Sequence, residues 1–127
     1  MFQNFFLAVL VVIALPASSL AQTDLARQVD DALNDVKKKR FEKVSELRDL
    51  GEKGFPFLGI YSNDPNEGVR REIVALLRLQ SSSGALELLG RFLTDKERDI
   101  TNRALDTIHG EYTCAQIKAS QSTKKRY

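Results

Sequence analysis

The chain has 127 residues, 43% hydrophobic and 28% charged, with a formal net charge of +2 and a single cysteine. That length holds one domain-sized core and is short for two. The near-neutral balance excludes the strong one-sided basic excess of a nucleic-acid surface, and one cysteine excludes an internal disulfide.

The opening run, apolar from Phe5 to Leu15 and followed by Pro16 and small residues ending at Ala21, has the order of a secretory signal peptide. It is too short to cross a hydrocarbon core of about 30 Å, which takes about 20 helical residues. Residues 1–21 are therefore expected to be a leader cleaved near Ala21, leaving a secreted or periplasmic protein with no stable membrane insertion. No charged side chain lies in that segment, so the mature chain keeps the same net charge.

From Thr23 the apolar residues Leu25, Val29, Ala32, Leu33 and Val36 form one stripe of a helix, with Thr23 or Asp24 as its cap. The basic run Lys37–Arg40 interrupts the stripe and is read, like Lys124–Arg126, as solvated charge. Phe41, Val44, Leu47 and Leu50 start a new set, as a bend or a second helix, and the "GEKG" at Gly51–Gly54 stops it. Residues 22–51 are thus expected to be a helix or helix pair that acts as a cap and half unit.

Pro56 belongs in the first turn of the next, short helix, which must end at "SNDPNEG". Val69, Ile73, Leu76 and Leu77 mark another helical face, and "SSSG" breaks it. Ser83 is the expected cap of the helix carrying Leu86, Leu88, Leu89, Phe92 and Leu93. After a turn at Asp95, Ile100, Ala104, Leu105 and Ile108 resume the spacing, and His109–Gly110 is expected to close it. The remainder, residues 111–127, reads as a weak helix with Tyr112, Cys114 and Ile117 and then a disordered polar tail. Nothing alternates with period two, so the fold class is all-α.

Sliding the chain against itself by 31 places sets Phe55 on Leu86, Gly59 on Gly90, Tyr61 on Phe92 and Asp64 on Asp95. It then sets Val69 on Ile100, Val74 on Leu105 and Leu77 on Ile108. Apolar positions repeat while surface positions drift, as in stacked helical units. "FPFLGIYSNDPNEGVRREIVALLRL" (Phe55–Leu79) and, more loosely, "LELLGRFLTDKERDITNRALDTI" (Leu86–Ile108) resemble HEAT repeats, including the short bacterial HEAT-like kind. Arg40–Gly51 reads as the second helix of a preceding unit.

The resemblance implies a short α-solenoid of about two and a half units, with two helical hairpins in residues 52–110. It also implies that Asp64 and Arg70 tie neighbouring units together; in the second unit Asp95 is present but Thr101 stands in place of the arginine. HEAT-like stacks use the second helices of successive units to hold another protein. Here the outward residues are Arg71, Glu72 and Arg78 on one such helix and Asn102, Arg103, Asp106 and His109 on the next. These form the candidate protein-binding ridge, with an ordinary solvated face as the plain alternative.

The expected function is a non-enzymatic protein–protein interaction module with an unidentified protein partner and no nucleic acid, cofactor or metal. The alternative is a self-associating structural module, a homo-oligomer in which Cys114 serves as an intermolecular thiol; otherwise Cys114 is a small apolar residue tucked under the last helix. His109 and Cys114, five residues apart, are the only pair resembling a reactive thiol site, and no third orienting group accompanies them.

Overall fold

The computed structural model describes residues 17–80 and 82–124, and the leader expected over 1–21 lies outside these apart from residues 17–21. Every regular element among the described residues is helical. The α-helices are α1 (Ala17–Lys37), α2 (Val44–Leu50), α3 (Phe55–Ile60), α4 (Glu67–Arg78), α5 (Ser83–Gly90) and α6 (Arg98–Lys124). Short 3-10 segments at Gly51–Gly54, Tyr61–Asn63 and Arg91–Thr94 follow α2, α3 and α5.

The stripe of α1 packs as its spacing requires, with Val29, Ala32, Leu33 and Val36 buried. The helix already includes Ala17, so Thr23 and Asp24 lie inside it and do not cap it. It ends in a Schellman motif: Arg40 donates its backbone N–H to the Asp35 carbonyl and Lys39 to that of Val36, both at 2.9 Å. The left-handed position of that motif usually falls to glycine, and here it is Lys39 at φ 60°. The second stop falls on a true glycine, Gly51 at φ 57°, whose N–H reaches the Arg48 carbonyl. The chain then passes through Gly51–Gly54 directly into α3, with Pro56 in the first turn. The half unit expected at Arg40–Gly51 is therefore the lead-in to α3. Helices α1 and α5, as well as α6, pack against α4.

The 31-residue correspondence is repeated in the backbone. Asp64 and Asp95 each follow a 3-10 segment, donate their N–H to the carbonyls of Tyr61 and Phe92 (3.0 and 3.2 Å), and take nearly the same conformation, φ/ψ −58°/137° and −63°/140°. Each carboxylate Oδ1 accepts the N–H two residues on, from Asn66 at 2.9 Å and Glu97 at 2.8 Å. These Asx turns set the chain to enter α4 and α6. Asn66 caps α4 by accepting from Val69 N–H. The cap of α5 is Ser82, accepting from Ala85 N–H at 3.2 Å, one residue before the serine expected, because its extended backbone turns the hydroxyl toward the helix.

Between the two turns lies Arg70, 3% exposed. Its Nε and Nη2 donate to the Asp95 carboxylate at 2.8 and 3.3 Å, and its Nη1 donates to the Asp64 carbonyl at 2.7 Å. Thr101, in the position equivalent to Arg70, turns its hydroxyl back to the Asp95 carbonyl at 3.0 Å. On the other side Lys37 of α1 reaches the Asp64 carboxylate at 3.3 Å. Tyr61 donates its hydroxyl to Asp30 of α1; burial and that bond push its phenol pKa up to about 12, so it stays protonated as a donor.

One hydrophobic core joins all six helices, centred on Leu33, Ile73, Leu77, Leu89, Phe92 and Ile100. Two expectations fail at its far end. Leu105, matched to the fully buried Val74, is 51% exposed because no further element of the described residues covers it. Helix α6 also runs through His109–Gly110 to Lys124. One interior glycine costs only about 1 kcal/mol, and no proline follows to break the helix.

Two stability predictions follow from these contacts. Arg70→Ala leaves the Asp95 carboxylate, 4% exposed, without its cation, and unfolding in urea is expected to show a loss of about 3–5 kcal/mol. Lys39→Gly relieves the left-handed conformation at an exposed site, and the same titration is expected to show a gain of about 0.5–1 kcal/mol with unchanged slope.

Candidate protein-binding face

The residues nominated from the sequence lie on α4 and α6, which pack against each other. Apolar residues at helical spacing anchor each: Val69, Ile73, Val74, Leu76 and Leu77 are buried on α4, and Ile100 and Ala104 on α6. That burial turns the polar residues between them outward. Arg78, Asn102, Arg103, Asp106 and His109 are exposed, while Arg71 and Glu72 are half-buried.

The two helices are joined on this face by a residue the sequence reading missed. Asp99, in the first turn of α6, accepts from Arg71 Nε at 3.1 Å through Oδ2 and from Arg103 Nε at 3.3 Å through Oδ1. Asp99 is stabilised by the positive end of its own helix and by the Arg103 partner four residues on. The hydrogen bond from Arg71, followed by that from Arg103, holds its carboxyl below the usual carboxylate range. The signal was present: Asp99 is one turn before Arg103, and the 31-residue offset sets it opposite the first turn of α4. Arg71 and Arg103 are thus brought together, whereas no contact between Arg78 and His109 is among those of the described residues.

Three arginines and three carboxylates, Glu72, Asp99 and Asp106, share the face, so it is a mixed-charge surface and not a polyanion track. Beside it the loop after α1 and the start of α4 border a groove of about 520 Å³, lined by Lys37, Lys39, Phe41, Asn66, Arg71 and Glu72. Phe41 is 54% exposed there.

The other nominated groups are separated from this face or from each other. Cys114 is exposed on α6, correcting the expectation that it is tucked under the helix, because that part of α6 projects beyond the core. His109 and Cys114 lie on one continuous helix, where five residues turn the side chains about 140° apart, so they form no thiol–imidazole pair. Among the described residues no group of three or more histidine, cysteine, aspartate or glutamate side chains is placed to hold a metal ion. No helix of the described residues is long and apolar enough to cross a membrane. Comparison with protein-family models, with curated proteins and with solved structures gives no match in any of the three.

Because the Arg71 hydrogen bond is the largest cause of the Asp99 shift, Arg71→Ala is expected to raise the Asp99 pKa back toward the ordinary carboxylate value, and Arg103→Ala to raise it less. An NMR pH titration of the Asp99 carboxyl carbon checks both.

Proposed function

We propose that this chain is an exported, non-enzymatic protein-interaction module, built as a short HEAT-like α-solenoid in which α4 and α6 are the second helices of successive units. The observation that carries the reading is the bridge from Arg71 through Asp99 to Arg103, which makes one polar surface of two helices. The architecture is supported by the matched Asx turns at Asp64 and Asp95 and by the guanidinium between them. Export is supported by the apolar leader and the small residues ending at Ala21.

A mixed-charge face of this kind selects a partner by matching charges at its rim and contributes more to specificity and association rate than to raw affinity. Arg78, Asp106 and His109 extend the face beyond the bridged core. The partner class that fits is a folded protein with its own alternating charges, without requirement for a bound ion or cofactor.

Crosslinking in the native host, followed by identification of the captured protein, supplies the binding partner for a direct test. Arg71→Glu combined with Arg78→Glu is expected to weaken that binding at least tenfold, with a melting temperature changed by no more than a few degrees, because exposed pairs contribute only about 0–1 kcal/mol. Unchanged affinity would remove these residues from the interface.

A further inference from the structure

Three positions that are covered in the first unit are open in the second. Gly59 meets the second unit so closely that a Cβ there would lie 3.0 Å from Arg91 Nη1 and 3.1 Å from Leu88 Cδ2. Its equivalent, Gly90, has nothing within 4 Å, and its backbone is ordinary helix at φ −56°. Ser62 is 8% exposed and its equivalent, Leu93, is 38%. Val74 is fully buried and its equivalent, Leu105, is 51% exposed. The end of the core beyond α5 and α6 therefore keeps the small residue and the apolar residues of a packed face, with no element of the described residues upon it.

Helix α6 supplies the second observation. Where α4 ends, the matching point in α6 is His109, and α6 continues for roughly 20 Å beyond it. All side chains from Tyr112 to Ser122 are exposed on this arm. Along α6, Leu105, Ile108, Tyr112, Ala115 and Ala119 follow one another at alternate spacings of three and four, the seam of a coiled coil. Leu105 and Tyr112 are 51% and 65% exposed, and Ile108 is half-buried against the core. A lone helical arm of this length is marginal in water and gains from a covering helix.

The distribution of sizes along the seam identifies that helix. Large residues occupy its first half, at Leu105, Ile108 and Tyr112, and small ones its second half, at Ala115, Ala119 and Ser122. Set antiparallel on a second copy, Tyr112 falls opposite Ala115, Ile108 opposite Ala119 and Leu105 opposite Ser122, so each large side chain meets a small one. A parallel pairing would set large on large and small on small, crowding one half and leaving voids in the other.

We propose that the protein is a two-fold dimer in which the α6 arm of each copy packs antiparallel along the α6 seam of the other, against Leu105 and beside Leu93. The same surface serves both copies, so the assembly closes at two. Cys114 lies about 140° round the helix from the seam, and the dimer holds without a disulfide. The inference rests on the correspondence between the two units and on α6, and uses none of the ridge residues that bind the partner.

Light scattering of the purified protein in reductant tests it. A dimer is expected, and Tyr112→Asp and Ala115→Asp are each expected to halve the mass while the monomer still unfolds in one cooperative transition, since both side chains are exposed in the single chain. In a Cys114→Ser background, chains carrying Tyr112→Cys mixed with chains carrying Ala115→Cys are expected to form the mixed disulfide in preference to either self-pair. A monomeric mass for the unaltered protein, a dimer that survives both aspartate variants, or preferential Tyr112→Cys self-pairing would overturn the proposal. A monomer that still binds its foreign partner would do so while leaving the interaction-module reading in place.

Discussion

A guanidinium buried to 3% exposure needs acceptors from the protein itself, and the region around the two Asp turns gives one to each of the three nitrogens of Arg70. Its fork matches the Asp95 carboxylate in the two-point geometry that ammonium groups cannot reproduce, and its remaining arm holds the Asp64 carbonyl. The distance between the turns is thereby set, and with it the spacing of α4 and α6 at their starts. The apolar residues that follow, Ile73 and Val74 on α4 and Ile100 and Ala104 on α6, then meet in register. Burying an ion pair is a poor source of net stability but a strict one of geometry, since any displacement leaves a charge without its partner in a dry interior. The pair acts as a spacer whose length is fixed by bond geometry.

The surface bridge through Asp99 has the same chemistry in a different solvent. Its three side chains are between 39% and 49% exposed, so water competes with every contact and screening reduces the gain. Its value lies in orientation: Arg71 and Arg103 are held at fixed positions, and in the proposed binding role this lowers the rotamer entropy lost on association. One fold thus uses the arginine–aspartate pair twice, buried to place helices and exposed to place charges.

Much of this organisation was legible in the sequence because it is periodic. The 31-residue offset predicted matching turns at Asp64 and Asp95, helical spacing predicted the buried faces of α4 and α5, and the conformational freedom of glycine predicted the stop at Gly51. What periodicity could not say is where covering elements run out. Leu105 carries the same local signal as Val74, and its exposure is decided by the absence of another covering element among the described residues. Gly110 was read as a stop because glycine usually ends helices, yet a single glycine is a weak breaker when no proline or competing turn supports it. Lys39 hid a Schellman motif under a residue that rarely occupies its left-handed position. Asp99 was overlooked since its role depends on a contact from Arg71, 28 positions earlier.

The contacts of Arg70 also impose an order on assembly. Its helix can form as soon as Asn66 caps it, but the carboxylate that satisfies the guanidinium arrives 25 residues later in the chain. Until Asp95 is in place, closing the core over α4 would bury an unpaired cation, which is strongly unfavourable. The packing of α4 therefore cannot be completed ahead of the Asp95 turn, and the two consolidate together. One side chain waiting for its acceptor thus adds to the cooperativity that the shared core already imposes.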